Sequence, residues 1–398
     1  MVQTGLDVLL EEGMGGLGGR RVGVLCHPAS VNSRLVHIVD ALVAAQVRLT
    51  RLFGPEHGIR GEAQDMIGVE GNRDPRTGIP VTSLYGESFE SLSPSTAELA
   101  DVDILLVDLQ DVGSRYYTFI WTMALCLQSA ARAGVSVLVL DRPNPIGGAA
   151  IEGGEIAPWA ESFVGLGSVP VRHGLTIGEV ARLVQAGIPW GSGHFAQPLD
   201  GDVRIVAMRG WRRSDFFDTT GLPWVFPSPN MPTVDTALVY PGLCLLEGTN
   251  ISEGRGTTRP FEIIGAPFVD GYRLADRLAA DQLPGVCFRP LSFRPTFHKF
   301  AGQVCGGVQL HVLDRVAFRP YLTGVAILRA LRSLAGESFR WRTEKYEFVS
   351  DHLAIDLLTG GDAIRKGIDA GASLDELRTT WQPAEDAFVD RRRDSLVY

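Results

Sequence analysis

Residues 103–141 read DILLVDLQDVGSRYYTFIWTMALCLQSAARAGVSVLVLD, and this stretch decides the fold. Two short runs rich in Val, Leu and Ile, at residues 103–108 and 135–141, are typical of strands buried on both faces. Between them, residues 116–132 carry apolar side chains at helical spacing, and Gly134 follows as a favourable residue for ending a helix. This order predicts a β-α-β unit with parallel strands and a right-handed crossover.

The same alternation continues on both sides of this stretch. Short apolar runs at residues 21–26, 47–53 and 203–208 predict further strands, and residues 176–186 predict a helix with Thr176 as its N-cap. We therefore expect an α/β fold with a Rossmann-like, doubly wound parallel sheet. Ligands of such sheets bind outside the carboxyl ends of the strands, so functional residues are expected in the loops that follow the strands.

The second half of the chain predicts a different unit. Residues 223–267 are dense in Pro, Gly, Asn and Thr, which predicts a long, irregular and functional segment. The elements predicted after it are a strand at residues 307–314 and helices at residues 319–335, 350–358 and 374–382. We expect residues 1–230 to form the Rossmann-like catalytic domain and residues 231–398 to form a smaller α+β domain that completes the cleft.

Composition and charge restrict the possible classes of function. The 398 residues include 46 acidic and 37 basic side chains, and the net charge of −9 disfavours binding to a phosphate backbone. No apolar stretch approaches the roughly 20 residues of a membrane span. No signal peptide is recognisable, so we expect a cytoplasmic protein as the sequence stands, or an exported one if a leader was removed. The five cysteines are scattered without a C-x-x-C pair, which predicts neither a disulfide framework nor a zinc site.

Several common catalytic motifs are absent from the sequence. The first predicted strand leads into CHPAS at residues 26–30 instead of the G-x-G-x-x-G of dinucleotide-binding folds. Walker A, G-x-S-x-G and H-E-x-x-H are also missing, which removes the sequence support for nucleotide hydrolysis, a serine-hydrolase site and a zincin site. Of the catalytic classes considered, the sequence leaves catalysis by carboxylate side chains.

The first candidate site is GPEHG at residues 54–58, directly after the strand predicted at residues 47–53. A loop shaped by Gly and Pro at the carboxyl end of a strand aims Glu56 and His57 into a cleft, where burial favours a protonated carboxyl that acts as a general acid. Glu56 is the first catalytic candidate, and His57 is a candidate for binding or orienting the substrate. The alternative is a structural carboxylate that pairs with Arg60.

Two further candidate sites follow the strands of the opening stretch. Their members are side chains that bind sugar hydroxyls or anions, namely Asp108, Gln110, Arg115 and Tyr116 after the first strand and Asp141, Arg142 and Asn144 after the second. Farther along, Glu152 supplies a second carboxylate, and glycoside cleavage requires two carboxyl groups at one cleft, so Glu152 is the predicted partner of Glu56. The alternatives are helix capping by Asp111 or Ser114 and, for Glu152, an ordinary surface acid.

The predicted irregular segment carries the fourth group of candidates. Its motifs, PSPNMPT at residues 227–233 and EGTNISEGRGTTRPFE at residues 247–262, concentrate polar and charged groups on a glycine-rich backbone. This composition suits a polyhydroxylated, anionic ligand such as a sugar acid. The candidates are Asn230, Glu247, Thr249, Asn250, Glu253 and Arg255, together with His173 from the segment before the helix at residues 176–186. The alternatives are a polar loop that joins the domains through Asx turns and, for His173, a structural role.

These motifs resemble those of the exo-β-N-acetylmuramidase (NamZ) family. The resemblance is carried by FGPEHGIRGEAQ, DLQDVGSRYYTF, LDRPNPIGG with IEG, PSPNMPT and EGTNISEGRGTTRPFE, in this order, and covers essentially the whole chain. It implies a hydrolase that releases single N-acetylmuramic acid units from the non-reducing ends of peptidoglycan sugars, without a metal or nucleotide cofactor. It also implies that Glu56 is the catalytic glutamate, that Glu152 is the second acid, and that Arg255 or Arg115 binds the lactyl carboxylate.

The resulting prediction is an exo-acting glycoside hydrolase with Glu56 as general acid/base and Glu152 as partner carboxylate. Its partner is a small-molecule substrate, a peptidoglycan fragment that contains N-acetylmuramic acid, with no nucleic acid and no membrane span. Retaining, inverting and substrate-assisted mechanisms stay open, and in the last of these Asp108 or Asp111 orients the N-acetyl group. The alternative function is a non-catalytic protein that binds cell-wall sugars in the same cleft.

Overall fold

The structure, a computed structural model, describes residues 1–59, 73–86, 88–190 and 193–398. The first part of the chain forms a parallel sheet with helices on both faces. Its strands are β1 (Val22–Cys26), β2 (Leu49–Gly54), β3 (Val81–Ser83), β4 (Ile104–Asp108), β5 (Ser136–Leu140) and β6 (Val203–Val206). Its helices are α1 (Gly5–Glu11), α2 (Ile38–Ala44), α3 (Thr96–Leu99), α4 (Phe119–Ala133) and α5 (Ile177–Ala186).

The strands are ordered β3-β2-β1-β4-β5-β6, and each neighbouring pair is parallel. This is the strand order of a Rossmann-type doubly wound sheet. Alternate residues of a strand enter different cores: Leu105 and Val107 of β4 lie in one hydrophobic cluster, and Ile104 and Leu106 lie in another. Both faces of the sheet are therefore covered, and the predicted fold class is confirmed.

Local sequence explains where α4 and α5 end and begin. Helix α4 is buried along most of its length and ends at Gly134, whose φ of 67° is the left-handed conformation that often terminates a helix. Helix α5 begins after Thr176, whose hydroxyl accepts from the N–H of Glu179 while the Glu179 carboxylate accepts from the N–H of Thr176. The predicted roles of Gly134 and Thr176 are confirmed.

The second part of the chain contains a smaller antiparallel sheet, in which β9 (Cys305–Val312) lies between β7 (Ile263–Ala266) and β8 (Val286–Phe293). Its helices are α6 (Val234–Leu243), α7 (Gly271–Ala280), α8 (Pro320–Ala335), α9 (Ala354–Thr359), α10 (Ala363–Asp369), α11 (Leu374–Arg378) and α12 (Gln382–Arg391). This combination confirms the predicted α+β character. Across the described ranges, no helix is both long and apolar enough to pass through a membrane.

The interval predicted to be irregular, residues 223–267, contains helix α6 and strand β7. Gly242 follows a proline and reads as a helix breaker, but it lies where α6 meets α8. A Cβ on Gly242 would lie 1.9 Å from the carbonyl oxygen of Pro320, and one on Gly324 would lie 2.2 Å from the carbonyl oxygen of Gly242. These glycines let the two helices touch backbone to backbone, so the prediction of irregular structure is wrong over α6.

Candidate active site

Glu56 and His57 lie on the loop that leaves the carboxyl end of β2. Both side chains are buried, and the loop turns sharply, with the N–H of Gly58 donating to the carbonyl of Pro55 at 3.0 Å. His57 has a φ of 72°, a left-handed conformation that costs energy for a residue with a side chain. Such strain is concentrated at functional sites. Arg60, the alternative partner of Glu56, lies outside the described residues.

The carboxyl group of Glu56 lies beside the N-terminus of helix α4. The hydroxyl of Thr118 donates to Oε2 of Glu56 at 3.0 Å. Thr118 occupies the N-cap position of α4, yet its side chain makes no capping hydrogen bond to the helix. The residue that would ordinarily cap the helix therefore positions Glu56, at the positive end of a 15-residue helix.

These groups line a narrow cavity. Its polar and charged lining residues are Glu56, His57, Thr118, Ser228, Asn230, Glu247, Arg255 and Glu347. Its aromatic lining residues are Tyr116, Tyr117, Phe119, Tyr240, Phe261 and Tyr346. A few polar groups among apolar walls are typical of a small-molecule site. In the part of the chain that the structure describes, no group of three His, Cys, Asp or Glu side chains is arranged to hold a metal ion.

Glu247 and Arg255 form a buried ion pair in the cavity wall. Nη2 of Arg255 lies 2.7 Å from Oε1 of Glu247, and the hydroxyl of Tyr346 donates to Oε2 of the same carboxylate at 2.8 Å. Burial raises the pKa of Tyr346 well above its usual value, so this hydroxyl stays protonated. The Arg255 guanidinium also lies 3.3 Å from Glu253 and 5.2 Å from the centre of the Phe261 ring. Both oxygens of Glu247 are occupied, and the neighbours that hold Arg255 include Glu247, Glu253 and Phe261.

Glu347 lines the cavity from a strained turn. Tyr346 and Val349 exchange two backbone hydrogen bonds of 2.9 Å, and the residues between them, Glu347 and Phe348, have φ values of 43° and 71°. Two successive positive φ values are the mark of a type I′ turn, which ordinarily uses Asn and Gly. A buried glutamate held against its conformational preference is a candidate functional residue.

The structure brings together six of the predicted site residues, which are Glu56, His57, Tyr116, Asn230, Glu247 and Arg255. Tyr117 and Ser228 also line the cavity; they belong to the quoted motifs but were not among the predicted residues. Tyr240, Tyr346 and Glu347 carry no signal in their local sequence. What identifies Glu347 is its pair of positive φ values with Phe348, which only the structure contains.

Glu152, the predicted partner of Glu56, does not line the cavity. Its Oε1 lies 3.0 Å from the Arg172 guanidinium, and its Oε2 accepts from the N–H of Tyr321, in the first turn of α8, at 3.0 Å. Burial raises the pKa of Glu152, and the Arg172 charge works against this rise. Glu152 therefore joins the two parts of the chain, and the structure does not pair it with Glu56.

The crevice between β1 and β4, where ligands of doubly wound sheets usually bind, is crossed by side-chain contacts and keeps a small pocket whose lining includes Gln110 and Arg142. Burial lowers the pKa of His27 well below its usual value, and the neutral ring accepts the N–H of Gln110 at Nε2, at 2.9 Å. The Gln110 amide donates to the carbonyl of Pro143 at 2.9 Å. Nη2 of Arg142 lies 2.8 Å from Oδ2 of Asp108. The predicted binding residues Asp108, Gln110 and Arg142 thus connect the loops and lie outside the cavity lining.

Arg115, one of two predicted partners of a substrate carboxylate, is fully buried outside the cavity lining. Its guanidinium donates to the carbonyls of Gly154, Val169 and Leu358 at 2.7, 2.8 and 2.8 Å. Burial lowers the pKa of Arg115. The side chain joins three backbone segments, and of the two predicted arginines it is Arg255 that the cavity contains.

Asp141, Asn144 and His173 also bind protein groups outside the cavity lining. Asp141 accepts from the hydroxyls of Thr176 and Tyr398 at 2.8 and 2.7 Å, and burial raises its pKa to about 6. The Asn144 amide and the His173 ring bind backbone groups of the loop that leads into α5. These three residues therefore hold α5 and the chain terminus against the end of β5.

Thr249, Asn250 and Glu253 lie outside the cavity lining as well. The hydroxyl of Thr249 donates to a backbone carbonyl at 2.8 Å, and Asn250 exchanges two hydrogen bonds with a neighbouring backbone segment. Glu253 lies 2.9 Å from Lys299 and 3.3 Å from Arg255. Burial opposes its ionisation, but Lys299 and the other cations around it hold the pKa of Glu253 below its usual value. This carboxylate supports Arg255 from behind the cavity wall.

Comparison with known proteins identifies the family. The description "Exo-beta-N-acetylmuramidase NamZ, N-terminal" matches residues 22–235, and "Exo-beta-N-acetylmuramidase NamZ, C-terminal" matches residues 238–398. The chain belongs to the NamZ family. The family resemblance of the sequence motifs is confirmed, and this NamZ family member is a glycoside hydrolase.

Relatives of the NamZ family match along the whole chain. The peptidoglycan beta-N-acetylmuramidase NamZ of Bacillus subtilis (strain 168) is 45% identical over 398 residues, which is 100% of this chain and 91% of the relative. Two crystal structures of DUF1343 family proteins from Bacteroides fragilis cover 100% of this chain and 99% of their own, with TM-scores of 0.87 and 0.77 at 32% and 27% identity. The likeness therefore includes both the parallel-sheet part and the antiparallel-sheet part.

Proposed function

We propose that the cavity is where this enzyme releases N-acetylmuramic acid from the non-reducing end of peptidoglycan fragments. The observation that carries the proposal is the placement of Glu56, a buried carboxyl oriented by Thr118 in a narrow cavity that also contains Arg255. Family membership and the peptidoglycan activity of the Bacillus subtilis relative support it. A narrow cavity suits one terminal sugar of a short fragment or glycan end, which favours exo action.

Glu56 is the proposed general acid. It donates a proton to the glycosidic oxygen as the bond from that oxygen to C1 of muramic acid breaks, so the leaving sugar departs as a neutral alcohol. The Thr118 hydroxyl fixes the direction of the carboxyl through its 3.0 Å hydrogen bond. Burial of Glu56 keeps bulk water from competing for the proton.

Glu347 is the proposed second carboxylate. Positive charge develops at C1 as the bond breaks, and a carboxylate beside C1 stabilises that charge while it attacks C1 or activates water. Glu247 is less suited to this role because Arg255 and Tyr346 occupy both its oxygens. Glu347 lines the same cavity as Glu56 and is presented there by a strained turn.

Arg255 is the proposed partner of the lactyl carboxylate, the group that distinguishes N-acetylmuramic acid from N-acetylglucosamine. A guanidinium presents its N–H donors in one plane and matches the geometry of a carboxylate. The contacts with Glu247, Glu253 and Phe261 fix this plane before a substrate arrives. Binding of the lactyl carboxylate therefore costs little conformational entropy of the Arg255 side chain.

The test is hydrolysis of para-nitrophenyl β-N-acetylmuramide, beside the corresponding N-acetylglucosaminide, by the wild type and by Glu56→Gln and Glu347→Gln. We expect turnover of the muramide alone. Glu347→Gln should lose at least about 100-fold in kcat on the nitrophenyl substrate, because a carboxamide does not carry the stabilising charge. Glu56→Gln should lose at least about 100-fold on the disaccharide of N-acetylmuramic acid and N-acetylglucosamine, whose leaving sugar needs a proton that the carboxamide cannot donate, whereas nitrophenolate leaves without one. Melting curves recorded on the same samples show whether each variant is folded.

Glu152→Gln is the matched control, since it changes a buried carboxylate outside the cavity lining. The folded variant should keep wild-type turnover, while its stability falls by about 3 kcal/mol because Arg172 loses its charged partner. A folded but inactive Glu152→Gln enzyme would overturn the assignment of Glu347. No turnover of either sugar by the wild type, with muramic acid still bound, would identify a sugar-binding protein instead.

A further inference from the structure

A second groove lies next to the catalytic cavity. It is open, and its lining includes Lys299, Arg340, Trp341 and Arg342. The groove and the cavity share two stretches of chain, because Thr249 and Asn250 of the groove follow Glu247 of the cavity, and residues 340–344 precede Tyr346.

Two sets of contacts connect the groove to the cavity. The Arg342 guanidinium lies 5.1 Å from the centre of the Tyr346 ring, and the Tyr346 hydroxyl donates to Glu247 in the cavity wall. Lys299 lies 2.9 Å from Glu253, which in turn contacts the cavity arginine at 3.3 Å. The groove and the site proposed for the terminal sugar are therefore close neighbours that share contacts through Tyr346 and Glu253.

The groove is positively charged, in a protein whose net charge is −9. Lys299 is paired with Glu253, but Arg340 is exposed and Arg342 half-buried, and no carboxylate of a described residue forms an ion pair with either guanidinium. Glu344 is the acidic residue in the lining. Two arginines against one glutamate leave a local charge that attracts an anionic ligand.

Trp341 gives the groove a rigid aromatic surface. Its Nε1 donates to the Asp369 carboxylate at 3.1 Å, and its ring meets Phe339 edge-on with the ring centres 4.8 Å apart. The indole is only half-buried. A fixed aromatic ring that shares a groove with two arginines suits a sugar that carries a carboxylate, because the apolar face of the sugar packs on the ring while a guanidinium binds the acid.

We propose that this groove binds the glycan on the leaving-group side of the cleaved bond. The inference rests on the proposed function, which puts the terminal muramic acid in the cavity. Peptidoglycan glycan alternates N-acetylglucosamine with N-acetylmuramic acid, so a longer fragment carries a second lactyl carboxylate beyond the first leaving sugar. Trp341 packs against a sugar ring, Arg340 and Arg342 bind that carboxylate, and the enzyme prefers longer fragments to the disaccharide.

The test measures kcat/KM on three peptide-free substrates. They are para-nitrophenyl β-N-acetylmuramide, the disaccharide of N-acetylmuramic acid and N-acetylglucosamine, and the tetrasaccharide that contains this disaccharide twice. Arg340→Glu is the informative variant because its exposed side chain does not line the cavity. We expect its kcat/KM on the tetrasaccharide to fall about tenfold, with the value on the nitrophenyl substrate unchanged. Trp341→Ala is expected to lose activity on the tetrasaccharide in the same selective way.

Arg273→Glu, an exposed arginine on α7, is the matched control and is expected to leave all three values at the wild-type level. A tetrasaccharide whose inner lactyl carboxylate is amidated separates charge from sugar packing, and Arg340→Glu is expected to make no difference to it. Equal wild-type kcat/KM values on the disaccharide and the tetrasaccharide would overturn the proposal that the groove binds the glycan. Equal losses of kcat/KM in Arg340→Glu on all three substrates would overturn it as well. A wild type that cleaves none of the three would contradict the proposed function itself.

Discussion

Thr118 connects the start of a helix to the proposed acid, because it donates its hydroxyl to Glu56 instead of capping α4. Thr118→Val is expected to lower kcat about tenfold with little change in KM, since the carboxyl loses the contact that orients it. Steady-state kinetics on the disaccharide of N-acetylmuramic acid and N-acetylglucosamine, whose leaving sugar needs the proton from Glu56, measure both constants. Thr118→Ser keeps the hydroxyl and is expected to recover most of the turnover.

Thr122 provides a matched control on the same helix. It is buried one turn after Thr118, and its hydroxyl has no hydrogen-bond partner among the described residues. Thr122→Val makes the same chemical change, and kcat is expected to stay within about twofold of the wild type. Similar losses in both variants would mean that packing of α4, and not the orientation of Glu56, explains the first result.

Residue roles could be predicted from the sequence only where the local sequence determines them. Glu56 was identifiable because it follows a strand on a loop shaped by Gly and Pro, and the structure places it in the cavity. Glu152 satisfied a similar rule, but its charge partner Arg172 and its contact with Tyr321 depend on tertiary structure. Glu347 had no signal, since its turn lacks the Asn-Gly pair that usually marks a type I′ turn.

Among the helices, α12 carries a titratable contact with the loop that follows Glu152. The Glu385 carboxylate accepts from the N–H of Gly153 at 2.7 Å, and burial raises the pKa of Glu385 from 4.5 to about 7 although this hydrogen bond opposes the rise. A raised pKa means that the folded protein binds this proton more tightly than the unfolded chain does. The contribution of Glu385 to stability therefore falls as the pH rises from 4.5 to about 7, and it is constant above that range.

Glu385→Gln removes this titration and keeps an oxygen that can accept from Gly153. We expect the variant to be more stable than the wild type at pH 8 by about 1 kcal/mol, less than the full pKa shift would give because solvent screens this partly exposed carboxyl, and equally stable near pH 5, where the wild-type carboxyl is protonated. Urea unfolding at the two pH values measures the difference. An advantage of the same size at both would show that the effect comes from packing and not from the charge of Glu385.

Elements were predictable from the sequence where their signals are local. The β-α-β unit of β4, α4 and β5 was predicted because apolar periodicity and a terminal glycine lie within one stretch of chain. Helix α6 was not, because the reason for Gly242 lies in α8, where Gly324 and Pro320 need a neighbour without a Cβ. A glycine that permits close helix packing has the same sequence signature as one that breaks a helix.

At the scale of the whole molecule, the position of the site follows from how the two parts of the chain meet. The sheet order predicts a ligand crevice between β1 and β4, but contacts of His27, Asp108 and Arg142 cross it and leave a small pocket there. The cavity lies instead at the end of β2, where Glu56 meets Arg255 and residues far along the chain. The fold class was predictable from sequence periodicity. The position of the cavity at the end of β2, away from the crevice between β1 and β4, depends on side-chain packing in the crevice.

Because both parts of the chain line the cavity, a bound sugar should stabilise the entire fold and not one part of it. N-acetylmuramic acid at 100 times its Kd is expected to add about 2.7 kcal/mol to the free energy of unfolding, and to raise the Tm by roughly 3 °C for a chain of this length. The same concentration of N-acetylglucosamine should raise the Tm less, and Arg255→Gln should abolish the difference because the lactyl carboxylate loses its partner. Calorimetry distinguishes the outcomes: a single transition that moves as a unit supports a shared site, and movement of one of two resolved transitions would mean that the sugar contacts only one part.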